Sequence, residues 1–318
     1  MDRKARATPA AAGVFVCAAL LAGCATPPMT AALMTQPPPA LARQTQLERV
    51  PFFPQDEYQC GPAALAMVLT ADGVPVTAAA LVPQVYLPAR EGSLQVEMLA
   101  AARRHGRLAV VLPRRLDAVL AEVAAGRPVI VLQNLSLPIL PLWHYAVVIG
   151  FDLDRQQILL HSGTSARLAL PLSLFERTWA RSEHWAMVAT APSDLPASPD
   201  GASLLAAAVA LERIDPAAAA SAYASLTVRH PDLYGAWFGM GNASHARGDL
   251  AGARRAFTRA TQIDPQAADA WNNLALTQLA LGRLGDARAS AQRAVALGGA
   301  RAARYRETLE SIERASGS

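Results

Sequence analysis

The sequence predicts an α+β domain, in which a helix carrying a cysteine precedes an antiparallel sheet, followed by an all-α solenoid. Three observations lead there. An apolar helix starts at a proline just after Cys60, strand-like runs spaced as hairpins fill residues 128–190, and beyond residue 200 the chain repeats itself in steps of 34.

In chain order, residues 1–23 come first. Asp2, Arg3, Lys4 and Arg6 precede an apolar run, Ala10–Leu21, too short to span a bilayer but suited to an export signal. The run ends in Leu21-Ala22-Gly23-Cys24, which resembles the lipobox of bacterial lipoproteins. That resemblance implies cleavage before Cys24 and a lipid on its sulfur. Ala25, in place of the aspartate linked to inner-membrane retention, implies the outer membrane, facing the periplasm. Residues 24–46, rich in Pro, Thr and Ala, read as a flexible tether.

Of the three cysteines, Cys17 leaves with the signal and Cys24 is acylated, so Cys60 becomes the lone free thiol and no internal disulfide can form. A lone thiol in an oxidising compartment is either buried and inert or kept for its reactivity. Loss of the signal lowers the net charge from +4 to +2, and every remaining basic residue is arginine. No basic run stands out, which argues against nucleic acid. No histidine–cysteine spacing suits a metal, and no cofactor motif is present. The lipid is the expected sole membrane attachment.

Residues 47–190 read as one compact domain, 191–201 as a Pro- and Ser-rich linker, and 202–318 as repeats. Within 47–190, Pro62–Leu69 opens a helix at a proline suited to the first turn. Ser93–His105 follows, with Ser93 as N-cap and Gly106 as terminator. Leu116–Ala125 is a third helix, ended by Gly126. Strands are expected at Pro128–Leu132, His144–Phe151, Gln157–His161 and His184–Thr190, the middle two as a hairpin.

In the last third, Trp237 recurs as Trp271, Ala219 as Ala253 and Ala287, Tyr223 as Phe257, and Pro231 as Pro265. The run Trp237 to Gly241, then Ala253, Phe257, Ala260 and Pro265, resembles a tetratricopeptide repeat. About three units are expected, with degenerate outer ones, and a capping helix over 301–315. Such repeats imply a protein partner or substrate docked on their concave face.

Cys60 sits at or just before a helix N-terminus, where the helix dipole is expected to lower its pKa and free N–H groups can face an oxyanion. His144 opens a strand and can project toward a cleft. Gln55 lies five residues before the cysteine. His105, His184, His230 and His245 read as structural.

Together, QDEYQCGPAALAMVL and WHYAVVIGFD some eighty residues later resemble the bacteriocin-processing, double-glycine-leader peptidases, a papain-like family. The resemblance covers roughly 48–190. It implies Cys60 as nucleophile, His144 as base and Gln55 as oxyanion donor, although the family places its glutamine six residues ahead; Gln59 is the alternative. The chain departs from the family at the third member. Where the family has Asp-Pro, this sequence has His161-Ser162-Gly163. Ser162 takes the aspartate's place, or His161 if the hairpin is shifted by one, and neither is a carboxylate. The implied function is a periplasm-facing lipoprotein cysteine peptidase cutting a peptide or protein. The alternatives are a non-catalytic peptide-binding adaptor of the same fold and an amidase acting on cell-wall peptides.

Overall fold

The computed structural model describes residues 26–54 and 59–317. The signal segment, Cys24 and Gln55 lie outside the described residues. Two layers of helices enclose a seven-stranded antiparallel sheet, and a stack of helical hairpins continues from one of those layers.

The chain begins with α1 (Pro28–Thr35) and β1 (Gln44–Gln46). Next come α2 (Cys60–Ala71) and α3 (Ala78–Val85), the small hairpin β2 (Tyr86–Leu87) and β3 (Gly92–Ser93), and α4 (Gln95–Arg104). Then follow β4 (Leu108–Val111), α5 (Leu116–Ala124), β5 (Val129–Asn134), β6 (Trp143–Asp152), β7 (Gln157–Ser162), β8 (Ser165–Pro171), α6 (Leu172–Ala180) and β9 (Ala186–Thr190). The strands lie in the order β4-β9-β5-β6-β7-β8, with β1 paired to the far end of β6.

The sheet is buried on both faces, so its central strands read as continuous apolar runs rather than alternating ones. Ile130, Leu132, Tyr145, Val147 and Ile149 pack against α2, α3 and α4. Val129, Val131, Ala146 and Val148 pack the other way, against α5 and α6. Gly150 is where β1 comes closest: a Cβ there would lie 2.6 Å from the Thr45 carbonyl oxygen.

The second core does not stop at the domain edge. It runs through Leu195 into Leu204, Leu211, Tyr223 and Leu226 of α7 (Gly201–Glu212) and α8 (Pro216–Arg229). The segment 191–200 is therefore packed. Leu195 is buried, Ser198 donates its N–H and its hydroxyl to Glu122 Oε1, each at 2.6 Å, and Arg127 bonds Asp194.

Two expectations are corrected here. Residues 28–35 of the expected tether form a docked helix, because the buried Glu176 carboxylate accepts the Met29 and Thr30 N–H groups at 2.9 and 2.6 Å and the Thr30 hydroxyl at 2.6 Å. An anion at a helix N-terminus satisfies donors that nothing else in the helix can reach. Ser93 is not an N-cap: it belongs to β3, and α4 starts two residues later with no side-chain cap.

Beyond α8 the stack continues with α9 (Tyr234–Ala246), α10 (Leu250–Ile263), α11 (Ala268–Ala280), α12 (Leu284–Leu297) and the capping α13 (Ala302–Gly317). The repeat is visible in single contacts. Trp237 Nε1 donates to the Pro231 carbonyl at 2.9 Å, and Trp271 Nε1 does the same to Pro265 at 3.1 Å. Asp215 caps α8 and Asp249 caps α10. The third unit, with Arg283 in that place, lacks the cap. Phe257 lies so close to Gly241 that a Cβ would fall 2.5 Å from its ring.

Candidate active site

α2 is apolar along most of its length and buried from Gly61 to Leu69, which leaves Cys60 at its N-terminus and Thr70 and Ala71 at its C-terminus as the residues that meet solvent. Cys60 is the first residue of the helix and only partly buried. The β2–β3 hairpin lies over it. Ser93 is pressed on Gly61, and the Tyr145 hydroxyl donates to the Ser93 carbonyl at 3.1 Å, tying the hairpin to β6. Only glycine fits at position 61.

We therefore expect Gly61→Ala to cost about 1–3 kcal/mol, the usual penalty of overpacking a filled site. A methyl there would sit 2.3 Å from Ser93 Oγ and 2.6 Å from its Cβ, and rotating the hydroxyl relieves only the first. Denaturant unfolding measures the cost, and an unchanged midpoint would show that the hairpin moves freely.

His144 is the second residue of β6, in register with Gln133 of β5. Its Nε2 lies 2.9 Å from Ser162 Oγ, at the end of β7. With the proton on Nε2, that nitrogen donates to Ser162 and Nδ1 keeps its lone pair for chemistry. Of the two residues weighed for the orienting position, Ser162 contacts the His144 ring. His161 is buried elsewhere: its Nε2 donates to the Val50 carbonyl at 3.2 Å, its Nδ1 accepts the Arg167 N–H at 3.2 Å, and Phe52 packs on its ring. Both of its nitrogens are used. Asp152 and Asp154 lie at the far turn of the β6–β7 hairpin, where they hold Arg155 and Arg43.

Cys60 and His144 line one cleft of about 890 Å³, with Leu142, Trp143, Tyr145 and Trp185 as its apolar wall and Arg114 and Glu183 paired at its rim. Among the described residues no hydrogen bond joins the thiol to the imidazole. Burial pushes the Cys60 thiol above its ordinary pKa, while the backbone amides of Tyr145, Gly61 and Cys60 pull it down. Burial also holds the His144 imidazole below its usual value. The expectation of a lowered thiol pKa is thus reversed: desolvation of the charged form outweighs the helix N-terminus and its amides. Both shifts favour the neutral thiol and imidazole over a thiolate–imidazolium pair. An arrangement of this kind suits general-base activation when substrate arrives rather than a preformed ion pair.

The sequence reading missed the β5–β6 loop, residues 135–142, whose end walls the cleft. The signal was present as an uncharged, proline-punctuated apolar run, LSLPILPL.

With the geometry in place, comparison with known proteins decides the domain's family. Residues 46–187 match the model of the Peptidase C39 like family. This segment is a C39-like peptidase domain. Residues 241–282 and 268–297 match two tetratricopeptide-repeat models, so the C39-like domain is followed by such repeats. Among solved structures, a putative C39-like peptidase from Bacillus anthracis is similar, 18% identical, with a TM-score of 0.40, covering 50% of this chain and 100% of its own. No curated protein matches the chain at a significant level.

Proposed function

We propose that the chain is a cysteine peptidase acting on a peptide or protein, held by a lipid on Cys24 at the outer membrane and facing the periplasm. The repeats dock a protein partner or a substrate tail. The observation that carries this reading is the 2.9 Å contact between His144 Nε2 and Ser162 Oγ in the cleft that Cys60 lines from a helix N-terminus.

The chemistry runs as acyl transfer. His144 Nδ1 takes the Cys60 proton as the thiol attacks the scissile carbonyl. The oxyanion is met by the Cys60 backbone N–H and, by resemblance, by Gln55. The imidazolium then protonates the leaving amine, and a thioester remains. Water, deprotonated by His144, attacks that thioester and releases the carboxylate and the thiol. Ser162 orients the ring but carries no charge, so it does little to stabilise the imidazolium.

One observation favours a second reading, a peptide-binding adaptor without turnover: burial disfavours the charged forms of both Cys60 and His144, and Ser162 brings no charge to offset it. Labelling separates the two. A peptidyl acyloxymethyl ketone is expected to modify Cys60 far faster than iodoacetamide does at neutral pH, because only the peptide-like reagent presents an oxyanion and engages His144. Iodoacetamide alkylation, in contrast, is expected to rise only above the ordinary thiol range near ~8.5, since a raised pKa leaves less thiolate at any given pH. Equal, slow labelling by both reagents, with no turnover across a peptide library that includes cell-wall peptides, would leave the adaptor standing.

A further inference from the structure

Next to the cleft, the nine residues from Leu135 to Trp143 carry no charge. Leu137, Ile139, Leu140, Leu142 and Trp143 all stand more than half exposed, Ile139 at 82% and Leu140 at 71%. An exposed apolar group of this size needs a reason.

The loop is a braced structure. Leu135 N–H donates to the Leu142 carbonyl at 2.9 Å, and Leu140 N–H to that of Leu137 at 3.1 Å. The buried Asn134 Oδ1 accepts the N–H groups of Ser136 and Leu142 at 3.0 and 2.9 Å. Arg181 Nη1 donates to the Asn134 and Ser136 carbonyls at 3.2 and 2.7 Å. Braced at these points by its own turns and by Asn134 and Arg181, the loop leaves its apolar side chains exposed.

Arg181 directly follows α6, and Glu176 on the same helix holds the start of α1. Five residues of helix span about 7.5 Å, so one short helix holds both the loop's base and the first described helix. Cys24 precedes Met29 by five residues, a contour of at most about 18 Å. An acyl chain on Cys24 thus leaves no room for the body to stand far from the bilayer, and the α6 side is the side kept close. Leu174, on α6, is exposed there too.

We propose that the 135–143 loop is a membrane-docking element that enters the periplasm-facing phospholipid leaflet, with Trp143 at the headgroup level, so that the peptidase cleft opens at the lipid surface. Trp and aliphatic side chains on a rigid loop beside a lipid anchor match interfacial chemistry. Leu142 and Trp143 serve both surfaces, since they also wall the cleft. The inference rests on the anchor read at Cys24.

The test uses unacylated protein from residue 26 onward, which holds every described element, with vesicles of phosphatidylethanolamine and phosphatidylglycerol. The wild-type protein is expected to co-sediment with the vesicles, with a blue shift of tryptophan emission that Trp143→Phe abolishes. The Ile139→Asp/Leu140→Asp variant is expected to bind at least tenfold more weakly while Cys60 labelling by the peptidyl reagent is unchanged in free solution, which also reports a folded cleft. Absence of vesicle binding in the wild type, or equal binding by the variant, overturns the proposal and assigns the surface to an apolar peptide or protein. Metabolic incorporation of labelled fatty acid at Cys24 reads the anchor separately, so failure of either is distinguishable.

Discussion

Replacing His144 with alanine is expected to lower kcat/KM on any fluorogenic peptide the protein cleaves by about 10²–10⁴, the usual contribution of a positioned general base. The imidazole's position is fixed twice, by β6 pairing with Gln133 and by the Ser162 hydroxyl, so its loss removes the proton acceptor from a thiol whose pKa burial raises. Cys60→Ala should abolish turnover altogether. Ser162→Ala removes an uncharged orienting contact and should cost much less than His144→Ala. A Ser162→Asp variant would place a carboxylate against the ring. If imidazolium stabilisation limits the rate, that variant gains activity. The pH profile follows from the same electrostatics. The base must be neutral, and burial lowers the His144 pKa, so the acid limb of kcat/KM is expected below the ordinary imidazole value of ~6.5. An acid limb above that value, or a His144→Ala variant within threefold of wild type, would remove His144 from the mechanism.

What the sequence revealed, it revealed through local pattern. The helix behind Cys60 follows from a proline at its third residue and an apolar run with no breaker. The β6–β7 hairpin follows from two β-rich runs around a polar turn, and the repeats from a fixed period that the Trp237 and Trp271 bonds now account for. What stayed hidden depends on partners distant in sequence. Nothing in residues 28–35 says helix strongly, and it is Glu176, more than 140 residues away, that supplies the missing cap. The protonation state of Cys60 turns on how deeply the β2–β3 hairpin and β6 bury it, and the helix-terminus argument considers only α2 itself. Burial won because a thiolate loses much of its hydration there, and three amides return only part of it. β8 was missed because, as an edge strand with one solvated face, it carries too few apolar residues to register as a strand. Ser162 entered only through the family resemblance, as the residue in the place of the family's aspartate with His161 as the alternative, and it is the Ser162 hydroxyl that lies 2.9 Å from His144 Nε2.

The largest structural effect is expected at a site remote from the chemistry. Glu122, on α5, is fully buried, and its carboxylate meets Arg127 Nε at 2.6 Å and both the N–H and hydroxyl of Ser198 at 2.6 Å. Glu122→Ala would leave the Ser198 N–H without its acceptor and a mostly buried guanidinium with Asp194 as its one remaining carboxylate partner. Breaking a buried pair costs about 3–5 kcal/mol, and with Asp194 still in place the loss is expected at the lower end, about 3 kcal/mol. For a chain of this size that corresponds to a fall in Tm of roughly 5 °C. The same carboxylate pins the 191–200 segment, and that segment feeds Leu195 into the core shared by the sheet and the first repeat hairpin. Loss of Glu122 should therefore also expose 191–200 to protease before the rest of the chain unfolds. Glu122→Gln keeps an acceptor oxygen for Ser198 but no charge for Arg127, so it should fall between wild type and alanine. If both variants melt within 2 °C of wild type, the pair contributes nothing net, and the C39-like domain and the repeats are joined by apolar packing alone. If Tm falls but the segment resists cleavage, Leu195 and its neighbours hold it, and Glu122 serves only the domain's own core.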